Sequence, residues 1–341
     1  MNSRSLARAT PLLRLLALAL MADATGVAQT PAWQDPSRHK VQFVEVEKDV
    51  RLEVLDWGGT GRPVLLLGGY TTAHIFDEIA PKLARAGHVY AITRRGLGAS
   101  SKPAHGYTAR ESGEDVMHVL DALKLEKPVL MGYSFGGQDL SMLGAEHPER
   151  IGALVYLDSA EDERVWPFPN GPISADEKEW RAQLPKTPPP DRTSIAAYRA
   201  WQKVAQNMAF PESELRQLYA INSDGSVGDY LVSKDVRDAM FAGRAYPDYS
   251  RIHIPVLAFF EMPIPLSEQL SKAQPLSTQQ AAAFGAQYVM SQMWTSVNSH
   301  ALSRALPAAK IVYLVGGNNY IFLTNEAEVV REATAFVEGL K

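Results

Sequence analysis

Cysteine is absent from all 341 residues of the sequence. Disulfide bonds, thiolate nucleophiles and cysteine-ligated zinc are therefore excluded. A large excess of one charge sign is also absent, because 34 lysines and arginines nearly balance 38 aspartates and glutamates, for a net charge of −4. No basic run or acidic tail interrupts this balance, so the composition does not favour nucleic-acid binding. The absence of cysteine does not by itself fix the cellular compartment.

Long hydrophobic runs are lacking as well, and the most conspicuous apolar stretch lies at the N-terminus. Three arginines (Arg4, Arg8 and Arg14) precede the apolar residues 15–22, and small residues at 26–28 resemble a cleavage site. This pattern is typical of a secretory signal peptide. We therefore predict a signal peptide over residues 1–28 and a periplasmic or secreted mature protein. No segment is long enough to span a bilayer.

Metal and phosphate motifs are missing too. No constellation of histidines and carboxylates has the pattern of a metal site. The segment "GGTGRP" at 58–63 lacks the lysine and hydroxyl of a phosphate-binding loop. We therefore predict that the protein uses neither a metal ion nor a cofactor.

Short apolar, β-branched runs alternate with helical patterns along most of the chain. Continuous apolar runs of this kind are typical of parallel strands that are buried on both faces. The alternation predicts an α/β fold with a largely parallel sheet. The first two runs are close together and predict a hairpin. The eight predicted strands cover 41–47, 50–56, 63–67, 88–93, 128–133, 153–158, 255–260 and 310–315.

The alternation stops between the sixth and seventh predicted strands. This region is rich in proline, tryptophan and tyrosine and contains helical stretches. We predict that residues 159–251 form a helical cap over the carboxyl edge of the sheet. Residues 38–158 and 252–341 then form the core domain.

The most informative motif is Gly132-Tyr133-Ser134-Phe135-Gly136, which has the pattern G-x-S-x-G. An apolar strand ends at Tyr133 and a helical pattern follows Ser134. A turn this tight needs glycine two residues either side of the serine and forces the serine into a strained conformation. The helix N-terminus also favours negative charge that develops nearby. Ser134 is therefore the candidate nucleophile.

The chain resembles the α/β-hydrolase superfamily over nearly everything after residue 28, and within it the capped serine esterases and lactonases. The segment "YAITRRGLGASSKP" (90–103) is similar to the family's turn after the fourth strand. The resemblance implies an eight-stranded, mostly parallel sheet that is flanked by helices, with the cap between strands 6 and 7. It also implies that the amides of Phe135 and Tyr70 form an oxyanion hole.

The acid of a catalytic triad follows the sixth or the seventh strand in this family. Asp158 ends the sixth strand, and Glu261 follows the seventh. We favour Asp158 because the usual Gly-x-x-Asp is missing after the seventh strand, and Glu261 stays as the alternative. An aspartate at the end of the sixth strand can also be a simple loop residue.

The family's histidine base follows the eighth strand, and here Asn319 aligns with it. Asparagine forms hydrogen bonds but cannot take a proton near neutral pH. Three explanations stay open. The asparagine replaces histidine in a variant of an active enzyme, the chain is a natural homologue that binds without cleaving, or another histidine such as His74 acts as base.

A serine at this turn points to carbonyl substrates, because dehalogenation and epoxide opening on this fold need an aspartate there. Aromatic residues of the cap favour an apolar pocket. We therefore predict a small hydrophobic ester or lactone as the substrate of an impaired serine hydrolase. The alternative is a ligand-binding homologue without catalytic activity.

Overall fold

An eight-stranded sheet forms the centre of the computed structural model, which describes residues 33–165 and 175–340. The strand order is β1-β2-β4-β3-β5-β6-β9-β10. The strands β1 and β2 form an antiparallel hairpin, β2 is antiparallel to β4, and the remaining neighbours are parallel. The predicted α/β fold is confirmed. The strands are β1 Lys40–Glu47, β2 Val50–Gly58, β3 Pro63–Leu67, β4 His88–Ile92, β5 Val129–Gly132, β6 Ala153–Leu157, β7 Tyr219–Ile221, β8 Val227–Tyr230, β9 Val256–Met262 and β10 Lys310–Val315.

Helices cover both faces of this sheet and build the segments inserted between its strands. Three short 3-10 helices accompany them, at Ala73–Phe76, Glu163–Val165 and Tyr249–Arg251. The α-helices are α1 Ala80–Leu83, α2 Ala109–Ala122, α3 Phe135–Glu146, α4 Ala175–Arg181, α5 Ile195–Gln206, α6 Glu212–Leu218, α7 Lys234–Ala242, α8 Leu266–Lys272, α9 Thr278–Ala305, α10 Ile321–Thr324 and α11 Glu326–Gly339.

Two hydrophobic clusters lie on opposite faces of the sheet. Leu66 and Val155 belong to one cluster, and their chain neighbours Leu65 and Leu154 belong to the other. Successive side chains of a strand point to opposite faces. Each central strand is therefore buried on both sides, which explains why its sequence is continuously apolar rather than alternating.

The chain leaves the sheet twice near its carboxyl edge. Between β6 and β9 it forms α4–α7 and the small antiparallel hairpin of β7 and β8. Between β9 and β10 it forms α8 and the long helix α9, in a segment where the sequence suggested no insertion. The predicted cap boundary at residue 251 remains a prediction.

The N-terminal prediction falls outside the described residues, as do the cap aromatics Trp166 and Phe168. Every element of regular structure given above belongs to the compact unit Ser37–Lys341. Within the described ranges, every helix is either too short or too polar to cross a bilayer.

Candidate active site

Ser134 occupies a strained turn between β5 and α3. Its backbone has φ 53° and ψ −127°, a conformation that costs a non-glycine residue free energy. It is the N-cap of α3, at the positive end of the helix dipole, and its side chain makes no capping hydrogen bond. The strain and the helix N-terminus are the features that the G-x-S-x-G motif predicts.

The glycines of the motif are required by close backbone packing. A Cβ on Gly132 would lie 2.8 Å from the carbonyl carbon of Gly136. A Cβ on Gly136 would lie 2.3 Å from the carbonyl oxygen of Leu67. Real Cβ atoms do not approach other atoms this closely, so a side chain at either position would force the turn apart.

The loop after β3 packs directly on Ser134. A Cβ on Gly69 would lie 2.7 Å from both Cβ and Oγ of the serine and 3.6 Å from the amide nitrogen of Phe135. The rings of Tyr70 and Phe135 meet edge to face, with centroids 4.8 Å apart. The structure thus brings both residues that were predicted for the oxyanion hole to the serine.

A buried arginine supports this loop from below. Arg94 donates from Nε to the carbonyl of Gly68 at 2.7 Å. Its other nitrogens form a hydrogen bond with Ser112 and a buried ion pair with Asp139 of α3. The loop and the helix that follows Ser134 are therefore joined through one guanidinium group.

A cap helix holds the other end of the same loop. The carboxylate of Glu214 in α6 accepts hydrogen bonds from the backbone nitrogen of Thr72 at 3.0 Å and from its hydroxyl at 2.5 Å. Glu214 is fully buried. Burial raises its pKa to about 8, although the Thr72 hydrogen bonds oppose the shift. Cap and loop are thus joined through a carboxyl group that titrates near neutral pH.

Glu214 makes the stability of the protein depend on pH. Its carboxyl binds protons more tightly in the folded protein (pKa about 8) than in an unfolded chain (about 4.5). Its contribution to stability is therefore fully present below pH 4.5 and is lost as the pH rises through 8. Glutamine stays neutral at every pH. We therefore expect Glu214→Gln to reduce the change in the free energy of unfolding between pH 5 and 9 by a few kcal/mol. Urea unfolding of both proteins from pH 5 to 9 measures it, and parallel curves would contradict the expectation.

Asp158 lies at the end of β6, next to Asn319. Its backbone also has a positive φ, 52°. The side-chain amide of Asn319 donates to the backbone carbonyl of Asp158 at 3.4 Å, and the backbone nitrogen of Glu261 donates to Oδ1 of Asp158 at 2.9 Å. Asn319 therefore lies against Asp158, and the Glu261 side chain is the second carboxyl of this cluster.

The carboxyl groups behind the serine hold protons strongly. Burial, then the charges of Glu261 and Glu161, raise the pKa of Asp158 well above its usual range, against the opposing Glu261 and Asn319 hydrogen bonds. Burial and Glu161 also raise the pKa of Glu261. No imidazole stands among these groups in the described chain to offset their charge.

Glu161 is a residue that the sequence analysis did not single out. It follows β6, three positions after Asp158, and accepts a hydrogen bond from the indole nitrogen of Trp294 in α9 at 2.9 Å. The only sequence signal was its position in the acidic segment "DSAEDE" (158–163). Since α9 was not predicted, nothing indicated that Trp294 would meet it.

His74, the alternative base, lies elsewhere. It is buried, with Nδ1 3.3 Å from Asp77 and Nε2 3.6 Å from Glu53. Burial alone would lower its pKa, but these two carboxylates raise it to about 10. A histidine that is protonated at neutral pH cannot accept a proton. His74 is also not among the residues that line the cavity at Ser134, so the structure does not favour the hypothesis that it is the base.

The surroundings of His74 also include a group with metal-binding atoms. His39, His74 and Asp77 place one such atom each within 4.8 Å of the others. Asp77 already accepts hydrogen bonds from both imidazoles and, at 2.5 Å, from Ser213 of α6. These bonds hold the pKa of Asp77 well below its usual range, although burial opposes the shift. The arrangement fits a buried ion network that attaches the cap.

A cavity of about 230 Å³ opens over Ser134. Tyr70, Phe135 and Phe241 contribute aromatic surface to its wall, and Arg244 contributes a cation. Arg244 pairs with Glu163 at 2.7 Å and stacks on Phe241. The remaining polar lining comes mainly from Gln138, Ser159, Glu161 and Asn319. The cavity can accept a small molecule whose reacting carbonyl lies at the serine.

Comparisons with known proteins agree with this architecture. The chain is 36% identical to 2-hydroxymuconate semialdehyde hydrolase from Pseudomonas sp. (strain CF600) over 107 residues, which cover 30% of this chain and 38% of that one. It is 30% identical to polyneuridine aldehyde esterase from Rauvolfia serpentina over 125 residues, 36% of this chain and 46% of that one. The alignments thus span less than half of these relatives.

The structural likeness extends further along the chain. The crystal structure of E-2-(acetamidomethylene)succinate hydrolase superposes with a TM-score of 0.61 at 19% identity. It covers 88% of this chain and all of that one. The family model of the alpha/beta hydrolase fold matches residues 62–257, more than half of the sequence. The protein therefore belongs to the α/β-hydrolase family.

Proposed function

We propose that this hydrolase cleaves a carboxylic ester or lactone through an acyl-enzyme on Ser134, and that Asn319 slows the reaction severely. The observation that carries the proposal is the strained Ser134 at the N-terminus of α3, with Gly69 packed against its Oγ. A periplasmic or secreted location remains part of the proposal.

The geometry supports charge stabilisation at the serine. As Ser134 Oγ attacks a carbonyl carbon, negative charge develops on the carbonyl oxygen. The backbone amides of Phe135 and Tyr70 are the donors for that oxygen, because they lie on the two segments that enclose Oγ. They are fixed by α3 and by the Arg94 and Thr72 contacts, so they need little reorganisation during the reaction.

Proton transfer is the step that we expect Asn319 to slow. A histidine at position 319 would take the proton of Ser134 and return it to the leaving group. Asn319 cannot do either. It does preserve the contact with Asp158, which we propose as the acid of the parent triad. The oxyanion hole and substrate binding alone still accelerate such a reaction about 10³-fold over water.

The shape of the cavity supports a small, partly apolar substrate. Tyr70, Phe135 and Phe241 supply apolar surface. The volume of about 230 Å³ accommodates a molecule of modest size. A short-chain ester or a lactone fits these limits.

Asn319 also favours a second candidate function, a binding protein without turnover. The cavity and the two oxyanion donors would then hold a carbonyl ligand. A binder needs no strained serine, whereas an enzyme does. The geometry at Ser134 therefore favours the impaired hydrolase.

Acylation by an activated ester tests the proposal. The phenolate of p-nitrophenyl acetate departs without protonation, so the missing base matters least for this substrate. We expect a burst of about one p-nitrophenolate per chain and an acetyl group on the Ser134 peptide by mass spectrometry. Ser134→Ala should show neither. Equal labelling of both proteins, or no labelling of either, would contradict the proposal.

A further inference from the structure

We propose that Glu161 is the proton acceptor for the reaction at Ser134 in this chain, in the place of the absent histidine. This inference rests on the proposed function and names the residue through which the remaining activity passes.

The position of Glu161 makes this role possible. The strands β5 and β6 are parallel neighbours, and Ser134 and Glu161 follow their carboxyl ends. Both residues line the same cavity, together with Asn319. Glu161 faces the solvent of this cavity, whereas Asp158 and Glu261 are not part of its described wall. Ser134 and Glu161 therefore face one cavity, through which a proton can pass between them.

The other carboxyl in the described wall is already engaged. Glu163 forms an ion pair with Arg244 at 2.7 Å, and a carboxylate held by guanidinium is a poor base. Glu161 receives only the neutral indole N–H of Trp294, on Oε1. Its side chain lines the cavity. Among the described lining residues, Glu161 is thus the carboxyl best placed to accept a proton.

The surroundings of Glu161 also strengthen it as a base. Glu161 is exposed at the cavity, but the protein atoms packed around it remove part of its hydration and so raise its pKa; the Trp294 hydrogen bond opposes the shift, and the charge of Glu163 adds to it. Asp158 follows β6 and Glu261 lies in β9, and the charge of Glu161 adds to the burial that raises their pKa values. A carboxylate with a raised pKa accepts a proton more readily at neutral pH.

Glu161 can accept and return the proton in both halves of the reaction. Glu161 takes the hydroxyl proton while Ser134 Oγ forms a bond to the carbonyl carbon. The tetrahedral intermediate expels the alcohol, which takes that proton from Glu161. Water then attacks the acyl-enzyme and gives a proton to Glu161, which returns it to Ser134 as the ester bond breaks. No oxidant, metal or further reactant is needed.

The decisive experiment compares Glu161→Gln in the unmodified chain and in Asn319→His. Glutamine keeps an acceptor for Trp294 but cannot take a proton. In the unmodified chain we expect kcat/KM for p-nitrophenyl acetate to fall on the order of 10²-fold. In Asn319→His the imidazole is the base, so Glu161→Gln should lower kcat/KM by about threefold or less.

The pH dependence of kcat/KM adds an independent readout. For the unmodified chain it should rise through an inflection above the usual range of glutamate, and Glu161→Gln should abolish this inflection. Trp294→Phe removes a donor to the carboxylate and should move the inflection to higher pH. The matched control Glu163→Gln changes the same wall and should keep the inflection but move it to lower pH, because the charge of Glu163 no longer raises the pKa of Glu161. Thermal unfolding verifies that each variant is folded.

The outcomes separate this inference from the proposed function. If Asn319→His is active but Glu161→Gln leaves kcat/KM of the unmodified chain unchanged, the inference is overturned and the hydrolase proposal stands. The same holds if Asn319→His is active while the rate of the unmodified chain does not exceed that of Ser134→Ala. If neither protein exceeds Ser134→Ala, both fail.

Discussion

Asn319→His is expected to raise kcat/KM for short p-nitrophenyl esters by about 10³-fold or more. The asparagine already lies against Asp158, with its amide nitrogen 3.4 Å from that carbonyl. An imidazole there would lie beside Asp158, whose pKa is raised by burial and then by the charges of Glu261 and Glu161. These carboxyl groups would stabilise its cation, and the cation would in turn favour the carboxylate form of Asp158 that a triad needs.

The measurement is a comparison of Asn319→His, the unmodified chain and Ser134→Ala on the same ester series. Asn319→Gln is a control, because it introduces a larger amide without a titratable group and should gain nothing. Equal rates for the histidine and glutamine variants would show that position 319 does not supply the base. If Asn319→His still raised kcat/KM in a protein that also carries Ser134→Ala, Ser134 would not be the nucleophile.

Arg94→Ala is expected to have the largest effect on stability, lowering the free energy of unfolding by about 3–5 kcal/mol. The change leaves the buried Asp139 carboxylate without its cation, and the Gly68 carbonyl without a donor. Burial already raises the pKa of Asp139, and Arg94 opposes that shift. The difference between the two proteins should therefore narrow as the pH falls and Asp139 becomes neutral.

Denaturant unfolding at pH 5 and pH 8 measures this effect, and Arg110→Ala is the matched control. Arg110 also pairs with a carboxylate of α3, Glu146 at 3.0 Å, but this pair lies at the surface. Exposed pairs contribute at most about 1 kcal/mol. If both arginine variants lose the same stability, burial does not decide the value of the Arg94 pair.

The sheet and its central turn could be predicted from the sequence because both depend on local patterns. Continuous apolar runs indicate strands that are buried on two faces. The glycines on either side of Ser134 indicate a turn whose backbone segments pack closely. The strand ends were predicted to within a few residues. The position of Asn319 followed from the segment between the last strand and the last helix.

The helix α9 could not be predicted from the same patterns. Its 28 residues carry apolar and polar side chains without a single apolar face, and only five of them are buried. Glu161 was missed for the same reason, since its partner Trp294 lies on that helix, 133 positions away. Long-range polar contacts leave no periodic trace in the sequence. The ion network around His74 also joins distant residues.

The attachment of the cap has a consequence for engineering within this family. Glu214 and Ser213 of one short helix, α6, bind the Thr72 amide and the Asp77 carboxylate, so the segment between β6 and β9 also fixes the segment that follows β3. A cap grafted from a homologue would leave these two groups without partners unless it carried equivalents of both residues. The cap is therefore not an interchangeable module. Changes of specificity are better sought on its cavity wall, at Phe241 and Tyr246, than by exchanging the whole segment.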